Sequence, residues 1–468
     1  MSRILFPSIK VLFALVIISH SSLLIGQGIS FEERSKIENP NSNSCYSSQI
    51  DRLNRPYLYT ANLGQGLKIY DIEDEENPIQ RGGFEISAFE GQWVSNVIQY
   101  GTKLYLSLGD FQGATRPAGI AIIDVSEPAS PLLDGYQFFT AFDKGCAITR
   151  VKDDVAYLGL MDHGVLAVDI SNPSNITEIK HITFDDDFPE PPGLFTKPHA
   201  RGMDIYEDFL FVCYDAGGLR VVDISQPELA AEKHMYVNEE LDAVSNVVYN
   251  NIDIENGKGY IALDYCGVEV VDLSDPLDIK FENLYNPNDC NGTNWVGSPS
   301  HTNEIIHDGH HLFVSAGDSE IWSFDTSDDL KLNGSYSMVL DSSVTWGLDV
   351  HNGHAVGNFI NVAPVYLPGL TPYYSNWGGW RLYSIRNLTS IEDFDQADKD
   401  LVFPNPTDHY ITLQTEDVAS WSIYNTFGTL LSKGQPSTRT IDLSSYPQGI
   451  YLLNIRGENN RNHVVVKN

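Results

Sequence analysis

The chain is short of basic residues: its 468 residues include 29 lysines and arginines against 63 aspartates and glutamates, a formal net charge of -34. This charge opposes binding to phosphate backbones and anionic lipid surfaces, so nucleic acid is a poor partner. Long hydrophobic runs are also missing, because no segment reaches the roughly 20 apolar residues that cross a bilayer. We therefore expect a mature chain without a transmembrane segment.

Local enzyme signatures are missing too. The sequence contains no Gly-x-Ser-x-Gly, His-Glu-x-x-His or Cys-x-x-Cys motif, and no phosphate-binding loop with Gly-Lys-Ser/Thr. Their absence disfavours an enzyme without excluding one, since a site can be built from scattered residues. A hydrophobic content of 42% nevertheless predicts a large folded core.

The N-terminus has the features of a signal peptide. Arg3 and Lys10 precede an apolar run over residues 11–18, which a polar patch at 19–22 interrupts. We predict a signal peptide over residues 1–26, cleaved before Gln27, and export of the mature chain.

One short pattern of apolar residues ending in aspartate occurs six times, at intervals of 45 to 54 residues, and a degenerate seventh copy lies at 380–385. Each copy follows another strand and a Gly-containing turn, and a Pro often follows the aspartate. Four short strands per unit predict the blades of a β-propeller. A turn-capping role is favoured for the aspartates, which are Asp71, Asp124, Asp169, Asp223, Asp272 and Asp325.

The copy Leu219-Arg-Val-Val-Asp223 resembles the LVIVD repeat almost letter for letter. The resemblance implies an all-β fold with a seven-bladed β-propeller over residues 46–393, between linkers at 27–45 and 394–400. Six blades, or eight if residues 27–54 add a partial one, are the alternatives. The resemblance carries no catalytic residues to this chain.

Residues 401–468 differ in composition from the rest of the chain: their charge is balanced, and apolar and polar residues alternate in short runs. In order, they contain Phe403-Pro-Asn-Pro406, the segment 423–428, Gly449-Ile-Tyr451 and a terminal Val-Val-Lys-Asn. This segment resembles the C-terminal sorting domain of type IX secretion in Bacteroidetes. The resemblance implies a small Ig-like β-sandwich, handling by the type IX machinery, and a secreted or cell-surface location reached through the periplasm.

Long loops concentrate on one face of the expected propeller, which we call the looped face; it carries the connections from second to third strands and between blades. Polar and aromatic residues near the channel mouth on this face would suit a sugar or a metal. The candidate ligand-binding residues are His199, Arg201, Asp215, Asp264, His301 and Trp346. Trp377, in an aromatic loop, is a further candidate, either as a binding platform or as a plug where the ring closes.

Two weaker hypotheses concern Ca²⁺ and a disulfide. Asp185, Asp186 and Asp187 form a dense acidic run that suggests Ca²⁺, although its spacing is not that of an EF-hand and a solvated loop is favoured. Cys266 and Cys290 fall in loops of the looped face and are the predicted disulfide pair. We expect Cys213 to be buried and inert.

The sequence favours an exported, non-catalytic binding scaffold for a glycan or a surface protein. The alternative is a secreted propeller hydrolase or lyase with a channel-mouth site, with or without Ca²⁺ as a cofactor.

Overall fold

The computed structural model describes residues 28–467, except 111–115, 187, 189–196, 243–246, 265, 287–301, 317–319, 328–329, 338–343, 366–372, 376, 389–401, 404–406, 408, 414–419, 426–429, 436–438 and 457–460. The chain divides into two compact units, Ile29–Asn387 and a unit that contains Leu388–Asn468. In the described part of the chain, no helix is long and apolar enough to cross a membrane.

Six blades of the first unit are four-stranded antiparallel sheets of consecutive strands. Blade 1 has β2 (Ser47–Ile50), β3 (Tyr57–Ala61), β4 (Leu67–Asp71) and β5 (Ile79–Phe84); blade 2 has β6 (Val94–Tyr100), β7 (Lys103–Leu108), β8 (Ala118–Asp124) and β9 (Leu132–Phe139); blade 3 has β10 (Ile148–Lys152), β11 (Val155–Gly159), β12 (Val165–Asp169) and β13 (Thr177–Ile182). Blade 4 has β14 (Gly202–Tyr206), β15 (Phe209–Cys213), β16 (Leu219–Asp223) and β17 (Ala231–Tyr236); blade 5 has β18 (Val248–Glu255), β19 (Lys258–Asp264), β20 (Gly267–Asp272) and β21 (Lys280–Tyr285); blade 6 has β22 (Thr302–Asp308), β23 (His311–Ala316), β24 (Glu320–Asp325) and β25 (Lys331–Ser337).

The seventh blade joins the two ends of the propeller sequence. Its sheet has the order β1 (Gly28–Glu38), β30 (Gly379–Leu388), β27 (His354–Ile360) and β26 (Val344–His351). The degenerate seventh repeat lies in β30, and a hairpin of β28 (Val362–Val365) and β29 (Tyr373–Ser375) precedes it. The propeller therefore has seven blades, as predicted.

The expected linker at 27–45 is corrected by this arrangement, because most of it is the outer strand β1. Ile29 is buried and Phe31 is half-buried against Phe313, Tyr336 and Tyr383. Pairing with β1 covers an edge of the last blade that would otherwise expose unpaired N–H and C=O groups. The strand escaped sequence detection because it contains no copy of the repeat.

The repeated aspartates cap turns, which confirms their predicted structural role. Each carboxylate accepts a hydrogen bond of 2.7–3.0 Å from the backbone N–H two residues later, in all six copies. Hydrogen bonds from the side chain and the backbone N–H of the serine two residues later favour the charged form, so the pKa is lowered at Asp169, Asp223 and Asp272. At Asp124 a bond from Lys103 adds to the capping bond and lowers the pKa to about 2.

Helical segments in the described residues are short. They are 3₁₀ turns at Pro40–Ser42, Ile86–Phe89, Pro173–Asn175 and Pro227–Leu229, and one α-helical turn at Glu239–Asp242. The apolar core lies between neighbouring blades; Phe211, Leu219 and Ile261, for example, join blades 4 and 5 in one buried cluster.

The C-terminal unit is a small sandwich. One sheet has the order β31 (Val402–Phe403), β32 (Tyr410–Leu413) and β35 (Thr440–Asp442), and the other β34 (Leu430–Gly434), β33 (Ser420–Asn425), β36 (Gly449–Arg456) and β37 (Arg461–Lys467). Ile411, Ile423, Leu453 and Val465 are fully buried in one cluster, as alternating residues on facing sheets should be.

Candidate functional site

The channel mouth on the looped face is built by one residue from each blade, at or just before the start of its innermost strand. We call this set the mouth ring, and the space that it encloses, about 40 Å³, the mouth cavity. The mouth ring consists of Tyr46, Ser95, Ala147, Arg201, Asn250, Asn303 and Trp346. Equivalent positions in the seven blades thus bring aromatic, charged, polar and small side chains together at the mouth.

Two of the predicted site residues, Arg201 and Trp346, come together across the mouth ring. The Arg201 guanidinium lies 5.4 Å from the Trp346 ring centroid and donates to Asn303 Oδ1 at 3.4 Å. Tyr46 stacks on Trp346 with 5.4 Å between centroids, and Asn303 Nδ2 donates to the Trp346 carbonyl at 2.8 Å. Trp346 is therefore held by its neighbours instead of standing as an open platform for a sugar face.

A second predicted pair lies beside the mouth ring. His199 Nδ1 is 3.0 Å from Asp215 Oδ2, and Asp215 is 1% exposed. Asp215 has φ 52°, the left-handed conformation that aspartate tolerates better than most residues, and its carbonyl accepts from the Tyr249 N–H. The buried carboxylate fixes the orientation of a half-exposed imidazole.

The other candidates do not join these pairs. Asp264 is buried at the end of β19 and does not line the mouth cavity. His301 lies outside the described residues. Trp377 is buried in blade 7, with its ring 4.9 Å from Phe359, 4.4 Å from the Lys36 Nζ and 5.1 Å from Arg381. It plugs the seam beside β1, so its expected exposure as a binding platform is wrong.

Two residues of the acidic run, Asp185 and Asp186, lie in the described part of the chain. The buried guanidinium of Arg220 donates to the carbonyl oxygens of Asp185, at 2.8 Å, and Phe188, while Asp186 accepts from the Tyr214 hydroxyl at 2.7 Å. Arg220 thus anchors two backbone carbonyls of the described part of this loop. Asp187 lies outside the described residues, in which no group of three or more His, Cys, Asp or Glu side chains is placed to hold a metal.

Below the mouth ring, the channel holds a larger cavity of about 270 Å³ whose polar lining the sequence analysis missed. Three residues after each mouth-ring position, every blade contributes another side chain: Gln49, Ile98, Arg150, Asp204, Asp253, Ile306 and Asp349. In blades 3 to 6 this position lies 19 residues before the repeated aspartate. This constant offset would have located the channel-lining residues from the sequence.

Four of these side chains connect neighbouring blades. Asp204 accepts from the Ile254 N–H at 2.9 Å, Asp253 from His307 at 2.9 Å, Asp349 from Ile50 at 2.6 Å, and Gln49 from Gln99 at 3.1 Å. Each bond satisfies a backbone donor of the next inner strand, which holds the ring of blades together around a wet channel.

Two channel carboxyls have raised pKa values. Burial raises the pKa of Glu304 to about 7, and burial with the nearby charge of Asp253 raises that of Asp204 to about 6. The positive charge of Arg150 opposes both shifts. The channel therefore changes its charge near neutral pH.

The cysteines are mostly inert. Cys45, Cys146 and Cys213 are buried free thiols, and burial raises the pKa of Cys213 well above its ordinary value. Cys266 is disulfide-bonded. Its predicted partner, Cys290, lies outside the described residues, so that pairing stays a prediction.

Together, the seven-bladed propeller and the C-terminal sandwich define a β-propeller repeat protein with a separate small C-terminal domain. The LVIVD repeat model matches residues 114–136, 149–183 and 198–237, and the model of the secretion system C-terminal sorting domain matches residues 401–467. The chain thus contains LVIVD repeats and a type IX sorting domain, and it is a secreted or cell-surface protein handled by the secretion machinery.

Two solved structures are similar to this chain. The WD40 β-propeller domain of Doa1 is 10% identical, with a TM-score of 0.48 over 76% of this chain and 97% of that one. The computationally designed Ika8 protein is 8% identical, with a TM-score of 0.45 over 75% of this chain and 99% of that one. No curated protein matches the sequence.

Proposed function

We propose that this protein is a non-catalytic binding propeller of a Bacteroidetes cell surface, which recognises a glycan or a protein at the channel mouth of its looped face. The mouth cavity carries this proposal. Polar and charged side chains of several blades converge on it, among them Asn96, Arg201, Asn250 and Glu304. A concave site with a few convergent polar groups is the usual form of a ligand-binding site.

The surroundings of the cavity support the same proposal. The longest connections between described strands begin and end at this end of the channel, while the opposite face has short turns at 101–102, 153–154 and 207–208. Loops on a rigid scaffold are the usual carriers of binding specificity. A signal peptide over residues 1–26 belongs to this proposal, because a sorting domain at the other end requires prior entry into the periplasm.

The test is thermal unfolding of the full mature chain with soluble polysaccharides and purified envelope proteins. A ligand at 100 times its dissociation constant adds about 2.7 kcal/mol to the folded state, which raises the midpoint measurably. We expect a shift with at least one ligand, and its loss in Arg201→Ala. Replacement of the half-exposed Lys152 on the opposite face by alanine is the control. No shift with any ligand, or the same shift in Arg201→Ala, would contradict the proposal.

A second candidate, a secreted hydrolase or lyase, rests on the His199–Asp215 pair. A buried carboxylate that bonds one ring nitrogen orients the other as a general base, and His199 Nε2 makes no hydrogen bond to any described residue. The dependence of this candidate on Ca²⁺ stays a prediction, which activity assays with EDTA and with added Ca²⁺ would test. A hydrolase would release reducing ends from a polysaccharide panel, a lyase would form unsaturated products, and His199→Ala would abolish either. A pure binder shows neither product.

A further inference from the structure

The larger cavity below the mouth ring, which we call the channel cavity, lies toward the opposite face of the propeller. Its lining includes Arg52, in the connection that follows β2, and Tyr100, the last residue of β6 before the short turn at 101–102. Tyr100 is 41% exposed, and the side chains of Arg150 and Asp253 in the lining are 17% and 27% exposed. A ligand can therefore reach these groups from the opposite face, without passing the mouth ring.

The charged side chains of the channel cavity are divided by sign around the ring of blades. Arg52 and Arg150 come from blades 1 and 3, while blades 4 to 7 each contribute a carboxyl. These carboxyls are Asp204, Asp253, Glu304 and Asp349. Arg52 and Asp349 neutralise each other, since Nη2 lies 2.5 Å from Oδ1 and Nη1 lies 3.1 Å from Oδ2. The guanidinium of Arg150 and the other three carboxyls remain.

Arg150 is only weakly neutralised by the protein. Its Nη1 donates to the Thr149 carbonyl at 3.1 Å, and among the described carboxylates the nearest oxygen, Asp204 Oδ1, lies 3.9 Å from Nε. Both oxygens of Asp204 already accept from backbone N–H groups, those of Ile205 and Ile254. Nη2 of Arg150 makes no hydrogen bond within the described part of the chain, so it is available to a carboxylate, which suits the fork of a guanidinium.

Asp253 offers the opposite charge on blade 5. Its Oδ2 lies 2.9 Å from the backbone nitrogen of His307 and 2.5 Å from Nδ1 of the same residue. No described residue donates to its Oδ1, which is therefore available to a cationic donor. Burial raises the pKa of Glu304 to about 7 and that of Asp204 to about 6 in the same lining. A cation on this side of the cavity would stabilise these carboxylates in their charged form.

These charges favour a ligand that carries both signs. A simple anion on Arg150 would be repelled by three carboxyls, and a simple cation on Asp253 would leave the guanidinium without a partner. An ammonium and a carboxylate in one molecule satisfy both groups, each through a charge-assisted hydrogen bond. The exposed ring of Tyr100 offers an apolar contact for the rest of such a molecule.

We propose that the channel cavity binds a small zwitterion, an amino acid or a short peptide, whose carboxylate accepts from Arg150 and whose ammonium donates to Asp253 Oδ1. This site is separate from the mouth cavity and goes beyond the binding function proposed above, which it neither requires nor tests.

The test measures binding of free α-amino acids, diglycine and triglycine to the full mature chain by isothermal titration calorimetry at pH 7. We expect at least one of them to bind, with one molecule per protein. The glycine series shows whether the two charges must be separated as in an amino acid or as in a peptide. The amide of the bound ligand lacks the carboxylate, and its N-acetyl derivative lacks the ammonium. Each should bind about 10- to 100-fold more weakly, as expected for loss of a charge-assisted hydrogen bond.

Proton release gives a second measurement. An ammonium bound beside Glu304 and Asp204 favours their ionised forms, so binding between pH 6 and pH 7 should release protons. The binding enthalpy should then depend on the ionisation enthalpy of the buffer.

Substitutions locate the ligand. Arg150→Gln and Asp253→Asn should each weaken binding about tenfold or more, and asparagine can still accept from the His307 backbone N–H. The matched controls are Arg81→Gln, on β5, and Asp208→Asn, in the turn after β14; both side chains are exposed, and both variants should bind normally. If Arg150→Gln does not fold, the amide ligand tests the same contact on the parent protein.

Two results would overturn the inference. Equal affinity for the zwitterion, its amide and its N-acetyl derivative, or parent-like binding by both variants, would place the ligand outside the channel cavity. If no amino acid or peptide binds, the channel cavity holds solvent only. Either result leaves the binding function of the looped face intact, because Arg201→Ala tests that function at the mouth.

Discussion

Glu269 is a buried carboxyl whose titration should control the stability of blade 5. It lies on β20 with no solvent exposure, and its Oε1 accepts from the Tyr236 hydroxyl and from Asn238 Nδ2, each at 2.9 Å. Among the described residues, its Oε2 has no partner. Burial raises the pKa of Glu269 from 4.5 to about 7.

This shift makes stability depend on pH with a definite sign. The folded state binds the proton more tightly than the unfolded state, so the contribution is complete below the unfolded pKa and is lost as pH rises to the folded pKa. Between pH 5 and pH 8, we expect this one group to lower the free energy of unfolding by roughly 2 to 3 kcal/mol. The ionised form is the unfavourable one, because the low-dielectric core solvates it poorly.

The assay is urea unfolding of the full chain at pH 5 and pH 8, for the parent and for Glu269→Gln. Glutamine keeps the acceptor for Tyr236 and Asn238 but cannot ionise. Between pH 5 and pH 8, the variant should therefore lose roughly 2 to 3 kcal/mol less stability than the parent. Some loss should remain in the variant, since Glu304 and Asp204 shift in the same direction. Glu178→Gln, at an exposed position on β13, is the control. Equal losses in the parent and in Glu269→Gln would refute the burial argument.

The remaining predictions concern the acidic loop, ring closure and export. Arg220→Met should lower the free energy of unfolding by about 3 kcal/mol, because it leaves Glu232 and three carbonyls without their donor, and limited proteolysis should then cut near residues 185–188; an unchanged cleavage pattern would contradict this. Deletion of residues 28–38 should expose the edge of β30 and produce oligomers in size-exclusion chromatography, whereas a stable monomer would show that β1 is dispensable. Deletion of residues 401–468 should leave the protein in the periplasm on cell fractionation, and normal export would refute the sorting role.

The repeat pattern predicted the blades well because each third strand is buried on both faces and ends in a capped turn. In the strand from Leu219 to Asp223, the first four residues are buried, and Asp223 accepts a hydrogen bond from the turn that follows. Local physics fixes these features, so one sequence suffices to find them.

The site was harder to predict because tertiary structure decides it. The direction of Trp377 depends on contacts with Lys36 and Phe359, which are far apart in sequence, so its burial was not readable from an aromatic loop. The channel residues occupy the same position in each blade but differ in residue type, as Gln49, Arg150 and Asp204 show. A position without a shared residue type is hard to recognise in the sequence. Arg201 and Trp346 were found because both lie at the entry to inner strands, where the blade geometry alone brings them to the mouth.

The pairing of β1 with β30 has a consequence for how this architecture tolerates change. In an open array of repeats, a terminal unit contacts one neighbour and can be lost or gained singly. Here Glu75 of blade 1 binds Arg34 on β1 at 3.0 Å, and His354 and Ser384 in blade 7 at 2.8 and 2.9 Å. The propeller thus has no end from which a blade can be trimmed. Removal of any one blade would therefore break contacts with a neighbour on each side.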